Sequence, residues 1–173
     1  MYHMPSRSLP TSLYFLLLCG LIAANVSIYK VIFAPRVLEI NVLAVGKGHA
    51  ALVRTPHGKN ILVDTGPDVS ILRALGSALP MWQRNIDAVI LTGMKASFAG
   101  GLPEVENRYQ VSTIMHFGDK VAPYGTTLTF DGSLIKIIAP ATFNISYGSS
   151  SLNISSSTPT GTYTSNGKIV TQI

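Results

Sequence analysis

The residues that could carry chemistry are few, and they fall at the ends of apolar runs. Asp64 closes the run Asn60-Ile-Leu-Val-Asp64 and is followed by Thr65-Gly66. A second run, Ala88 to Leu91, leads through Thr92 into Gly93, Met94, Lys95, Ala96, Ser97 and Phe98, and then Gly100-Gly101. Leu102-Pro-Glu-Val follows, with Pro103 in the first turn of a predicted helix, where its missing N–H costs nothing. A strand, a loop and a helix in that order commonly build a site in an α/β protein. Here the loop offers one titratable group, Lys95, and no usual metal ligand. The frame of a site is present while its expected chemistry is missing.

The histidines add little. His3 lies near the amino terminus, His57 in a turn and His116 at the end of a predicted strand, where solvated or structural roles are the simpler readings. His49 follows the turn Gly46-Lys47-Gly48 and borders the same region as Asp64. One histidine and one carboxylate are too few donors for a tight zinc site, which needs three or four aimed at one point. Ser97, Ser112 and Ser133 have no Gly-x-Ser-x-Gly setting and no placeable His/Asp pair, so none is supported as a nucleophile. Asp64 poses an electrostatic question, because a carboxylate desolvated without a partner is costly. Lys95, Lys47 or His49 could supply a compensating charge; equally, Lys95 could point to water.

The elements that position these residues read as alternating strands and helices. Strands are expected over 37–45, 50–55, 60–64, 88–91 and 111–115, where β-branched and apolar residues cluster. Pro56-His-Gly-Lys59 has hairpin chemistry. Asp68 is placed to cap a helix over 69–79, whose Ile71, Leu72, Leu75 and Leu79 share a face, and a second helix is expected over 102–109. After Gly118 the chain is rich in Ser, Thr, Gly and Asn, with short strands expected over 126–130, 133–138, 143–147 and 151–155 and a last one over 168–173. The N-x-Ser sequons at Asn25, Asn144 and Asn153 are most simply chance in so Ser-rich a chain.

Residues 1–12 form a polar tail, and 13–34 an apolar segment of about the ~20 residues that cross a hydrocarbon core. Tyr14 and Tyr29 stand near its ends, and Lys30 could snorkel to an interface. A retained signal anchor is the favoured reading. A cleaved signal peptide is second, with Ile22-Ala-Ala24 a poor cleavage site, and a buried core helix is third. A lipoprotein role for Cys19 is weak, because Leu18 stands where a small residue is expected. A short amino-terminal tail favours a single-pass protein with its domain, 36–173, outside the cytoplasm.

Composition narrows the classes further. With 173 residues, 47% of them hydrophobic, the chain can bury a core, and its single cysteine excludes an intrachain disulfide. The net charge of +5 is scattered. Arg54, Lys59, Lys47 and Lys95 could form a basic rim for a phosphate backbone, but no aromatic residues interleave them to stack bases. Nucleic acid is therefore a weakly supported partner, and the membrane, through 13–34, a better one.

Four stretches together resemble a known family. They are Leu43-Ala-Val-Gly-Lys-Gly-His-Ala50, Asn60-Ile-Leu-Val-Asp-Thr-Gly66, Ile86-Asp-Ala-Val-Ile-Leu-Thr92 and Gly100-Gly-Leu-Pro-Glu104. They resemble metallo-β-lactamase-fold hydrolases, and most nearly the extracytoplasmic domain of ComEC competence proteins and single-span proteins carrying that domain. The match is good over 37–118 and loose over 119–173, where Asn144-Ile-Ser-Tyr-Gly and Tyr163-Thr-Ser-Asn-Gly-Lys-Ile-Val170 resemble later strands. The resemblance implies an α/β fold, an αββα sandwich with a shortened second half.

It also implies a zinc site that this chain has lost. The family motif His-x-Asp-x-Asp-His falls on Gly93, Lys95, Ser97 and Phe98, so all four ligands are replaced. Around that place, the family's Asp-Val-Gly-Gln-Gly-Asp turn becomes Ala44-Val-Gly-Lys47-Gly-His49, and Asp64 alone keeps the family's residue. Without metal the family's hydrolysis has no hydroxide near neutral pH. The expectation is a domain with no catalytic residues, no metal and no cofactor, holding a binding or scaffolding role. The alternatives are a metal-dependent hydrolase or nuclease acting on phosphodiesters in DNA uptake, and a nonfunctional truncated relative.

Overall fold

The computed structural model describes residues 11–32, 37–118 and 122–173, and in the first helix the side chains of 12–26. The chain divides into two units, Met1–Pro35 and Arg36–Ile173. In the first, helix α1 runs from Thr11 to Ile32. A helix of 22 residues is about 33 Å long at 1.5 Å per residue. The side chains of 12–26 are exposed, Phe15 and Leu16 at 70% each. Those fifteen residues cover only about 22 Å. Among the described residues no helix is long and apolar enough to cross a membrane. The expected anchoring roles of Tyr29 and Lys30, the end of the segment at 33–34, and His3 lie outside what is described.

The second unit is mixed α/β. Strand β1 (Leu38–Val42) enters first, then β2 (Ala51–Arg54), β3 (Asn60–Val63), α2 (Ser70–Ala78), β4 (Asn85–Ile86) and β5 (Ala88–Leu91). Next come α3 (Ala96–Ala99), α4 (Leu102–Arg108), β6 (Gln110–Val111) and β7 (Ile114–His116). The remainder is β8 (Thr127–Phe130), β9 (Ser133–Ala139), β10 (Thr142–Tyr147), β11 (Ser150–Ile154), β12 (Gly161–Ser165) and β13 (Val170–Gln172).

Seven strands form one sheet in the order β13-β12-β1-β2-β3-β5-β7, and β11-β10-β9-β8 form a second, antiparallel sheet. β3, β5 and β7 are parallel, as strands with helical crossovers must be. The two sheets face each other across one core. Ile40, Val53, Ile61, Val63 and Ile90 of the larger sheet meet Ile135, Ile137, Phe143 and Ile145 of the smaller. The other face of the large sheet packs on α2 and α4 through Leu52, Leu62, Val89 and Leu91 against Ile71, Leu75, Leu79 and Val105. The strands buried on both faces are the continuous apolar runs, as a covered parallel sheet requires.

The outer face of the small sheet differs. Along β9, Ser133, Ile135 and Ile137 are buried and Leu134, Lys136 and Ile138 are exposed. Among the described residues of this unit, helices pack on one face of the large sheet only. The observed layers are thus helix, sheet, sheet.

Local sequence accounts for most boundaries. The expected cap is displaced by one residue: α2 follows Val69, which makes no side-chain cap bond, while Asp68, two residues before the helix, accepts the Ser70 N–H at 2.9 Å. The hairpin at 55–59 closes with Thr55 N–H donating to Lys59 O at 2.9 Å, with Gly58 at φ +88°. In α2, Gly76 is exposed, and a methyl group there would meet nothing within 4 Å. Gly76→Ala is therefore expected to raise unfolding stability by about 0.8 kcal/mol, read from a denaturant midpoint.

Candidate functional site

β1, β3 and β5 all end on one side of the large sheet, which we term the distal end. Three loops meet there: 43–49 after β1, 64–68 after β3, and 92–101 after β5. Small residues allow them to touch. A side-chain carbon on Gly48 would lie 2.7 Å from Ser97 O, and one on Gly100 would lie 2.1 Å from Pro67 O. Hydrogen bonds stitch the loops. Thr65 N–H donates to Phe98 O at 2.6 Å, Gly66 N–H to His49 O at 3.0 Å, and His49 N–H to Ser97 O at 3.2 Å. The short helix α3 forms within the loop, which the sequence reading left without structure.

Asp64 sits at the bottom of this junction, 1% exposed and at φ +58°. Its Oδ1 accepts Thr92 N–H and its Oδ2 accepts the Thr92 hydroxyl, both at 2.7 Å. Burial pushes the carboxyl from an ordinary 3.8 up to about 7, and the two Thr92 hydrogen bonds offset that only in part. Thr92 Oγ1 also accepts Ala141 N–H at 2.9 Å, and Thr92 O accepts the Tyr124 hydroxyl at 2.9 Å. Thr92 thus ties β3, β5 and the small sheet together. Nothing along the chain points to this role, because it depends on the β3–β5 pairing. Tyr124→Phe removes one of these ties and is expected to cost about 1 kcal/mol of unfolding stability, measured by denaturant titration.

The expected charge partners for Asp64 are absent. The ion pairs among the described residues are Arg54–Glu39 at 3.2 Å and Lys59–Asp131 at 3.4 Å. Lys47, Lys95 and His49 form none with Asp64. The low dielectric around the acid is met by protonation and by Thr92 instead of by a cation. The proposed basic rim is corrected as well. Lys47 lines the distal cleft, whereas Arg54 and Lys59 flank the hairpin at the other end of β2, about 13 Å of strand away.

The four positions that the resemblance sets against a metal motif, Gly93, Lys95, Ser97 and Phe98, have a definite arrangement. Met94, Lys95 and Ala96 are exposed, and Ser97 is half-buried. Gly93 is buried, and a side-chain carbon on it would lie 2.8 Å from Phe98 Cδ2. The Phe98 ring therefore occupies the space that a side chain at 93 would need. It also stacks on the His49 ring, with centroids 5.8 Å apart and planes at 25°. Two motif positions, 93 and 98, and the rim residue His49 thus form one packed unit.

The remaining candidates are dispersed. His116 Nδ1 lies 3.3 Å from Met94 Sδ. His57 is exposed in its turn and Ser112 is exposed. Ser133 is fully buried in the inter-sheet core, its hydroxyl without a hydrogen-bond partner. Among the described residues no three His, Cys, Asp or Glu side chains group to hold a metal. The donors at the distal end do not fit zinc: His49 and Asp64 are two, where a site needs three or four aimed at one point.

What the distal end does offer is a cleft of about 470 Å³. Ala44, Lys47, His49 and Asp64 line one side, and Ser155, Ser156, Thr158 and Thr160 the other. The cleft lies between the loop after β1 and the loop joining β11 to β12. It combines one buried acid, one lysine and several hydroxyls, a set suited to hydrogen bonding rather than to generating a nucleophile. No protein-family model matches the chain, and no curated protein matches it.

Proposed function

We propose that the chain is a membrane-anchored metallo-β-lactamase-like domain, related to the ComEC-type extracytoplasmic domain, whose metal site has been converted into an aromatic plug and whose distal face serves binding or scaffolding. In this reading the helix, sheet, sheet order is an αββα sandwich without its second helical layer. The segment 13–34 spans the bilayer once and holds the domain outside the cytoplasm. The observation that carries the reading is the seat of Phe98. Its ring fills the space over Gly93 and stacks on His49, so three of the ancestral positions pack on one another. Asp64 supports it too: held by Thr92 and raised toward neutrality, the acid no longer needs a cation.

The test is hydrolysis by the full chain, purified in detergent, with single- and double-stranded DNA and added Zn²⁺ or Mn²⁺. Product at the level of buffer alone is expected. Metal-dependent cleavage abolished by a chelator would overturn the proposal in favour of a working phosphodiesterase. Unfolding of the same preparation should be a single cooperative transition, whereas aggregation without one would identify a nonfunctional relative.

A further inference from the structure

The opposite, proximal end of the domain, where β1 begins, carries a separate feature. Met81 and Trp82 are 86% and 84% exposed, in the loop between α2 and β4. The two are adjacent in sequence, and contiguous exposed apolar side chains mark an interaction surface. Hydrogen bonds fix where the loop lies. Glu39, the second residue of β1, pairs with Arg54, whose Nη2 donates to Ala78 O, at the end of α2, at 3.5 Å. Asn60 Nδ2 donates to Asn85 O, just past the loop, at 3.5 Å. The loop therefore sits beside the start of β1. The turn joining β12 to β13 is at this end too, because Ser165 pairs with Leu38, and it presents Ile169 at 68% exposure.

The charge at this end is lopsided. Arg84 and Lys168 are exposed and belong to no ion pair among the described residues. Three carboxylates at this end are engaged within the fold. Glu39 binds Arg54, Asp87 Oδ2 accepts Asn60 N–H at 2.8 Å, and Asp131 accepts the Thr55 hydroxyl at 2.8 Å. Two free cations thus flank three exposed apolar side chains.

Only residues 33–36 separate α1 from residue 37. The five steps from Ile32 to residue 37 reach at most about 18 Å. If α1 is anchored, the start of β1 is tethered within about that distance of the helix's end. We propose that the proximal end, led by Met81 and Trp82 with Ile169 at the same end, docks onto the lipid interface of the anchoring bilayer, with Arg84 and Lys168 over acidic headgroups. Tryptophan suits that position, since its ring is apolar and its indole N–H stays hydrated. Free lysines and arginines near a surface gain from anionic lipid. The inference rests on the anchor reading of α1. It adds that the domain lies on the membrane by its proximal end and turns its cleft away from it.

Trp82 is the chain's only tryptophan and so reports on itself. The full chain is reconstituted into vesicles of phosphatidylcholine and phosphatidylglycerol, with or without brominated acyl chains, and floated on a density gradient. Co-flotation is expected, together with blue-shifted Trp82 emission relative to the urea-unfolded chain. Bromolipid should lower that emission about twofold, as for an interfacial ring. Co-flotation with water-exposed emission and no bromolipid quenching overturns the docking while leaving the anchor intact. Blue-shifted emission that bromolipid does not quench also overturns it, because the ring is then covered by protein. Failure to float removes the anchor and the docking together. Arg84→Glu with Lys168→Glu should reduce the quenching while flotation continues; unchanged quenching would remove the two cations from the proposal.

Discussion

Asp64→Asn should stabilise the domain by about 4 kcal/mol above pH 8 and leave it unchanged near pH 4. Burial sets the folded-state pKa near 7, against an ordinary 3.8 for the unfolded chain. Between those values the folded chain holds a proton that the unfolded chain has released, so each step upward in pH favours unfolding. The stabilising contribution of the protonated acid is full below about pH 4 and is lost as pH rises through about 7. That interval corresponds to about 4 kcal/mol. Asparagine mimics the protonated acid without titrating. It can accept Thr92 N–H with its oxygen and donate to Thr92 Oγ1 with its nitrogen, and it tolerates the left-handed backbone at φ +58°. Hydrogen bonds to Thr55 and Ser70 hold Asp131 and Asp68 below the usual range, but both are present in wild type and variant and cancel in the comparison. The check is urea unfolding of both proteins at pH 4, 6 and 8. Parallel profiles would mean that the wild-type carboxylate is stabilised in a way the Thr92 bonds do not explain.

The second large effect concerns the plug. Gly93→Ala puts a methyl group 2.8 Å from the Phe98 ring and should cost about 2 kcal/mol, since the ring must leave its stack on His49. Phe98→Ala alone should cost about 2 kcal/mol, less than a fully buried phenylalanine because the ring is half-buried. Combined, the two changes should cost about 2 kcal/mol rather than the sum, because without the ring the methyl group has room. The coupling of about 2 kcal/mol lies within the range for residues in contact. Additive costs in a double-mutant cycle would show that Phe98 does not depend on the bare backbone at Gly93. The same geometry has a consequence for redesign. Histidine placed at 93 alone collides with the ring, so a metal ligand at 93 requires a change at 98 as well.

Much of the first half of the fold was legible because its signals are local. Asn60 to Val63 and Ala88 to Leu91 are short apolar runs bounded by turn residues, and they became central strands. Asp68 accepts a hydrogen bond from an N–H only two residues away. The later half was legible only in fragments. β12 lies beside β1 in the large sheet, pairing Tyr163 with Ile40 across more than 120 residues of sequence. Its Gly-Thr-Tyr-Thr-Ser sequence buries only Tyr163 and Ser165, too weak a pattern to name a neighbour.

The site divides the same way. That Gly93, Lys95, Ser97 and Phe98 carry no usual metal ligand could be read directly. That Phe98 lies over Gly93 could not, because it depends on how α3 turns the chain back. Asp64 was visible as the retained acid, and a cation was the natural partner to expect. The hydroxyl and N–H of Thr92, which follows the neighbouring parallel strand, hold it instead. Such a pairing is set by the β3–β5 register and not by any spacing along the chain.

The central claim is that the ancestral metal centre has become a packed aromatic unit. Elemental zinc in the purified full chain, after incubation with zinc and removal of the free ion, tests it most directly. Well under a tenth of a zinc per chain is expected, since a structural or catalytic site needs three or more convergent donors. About one zinc or more per chain, lost when Asp64 or His49 is replaced by alanine, would contradict it.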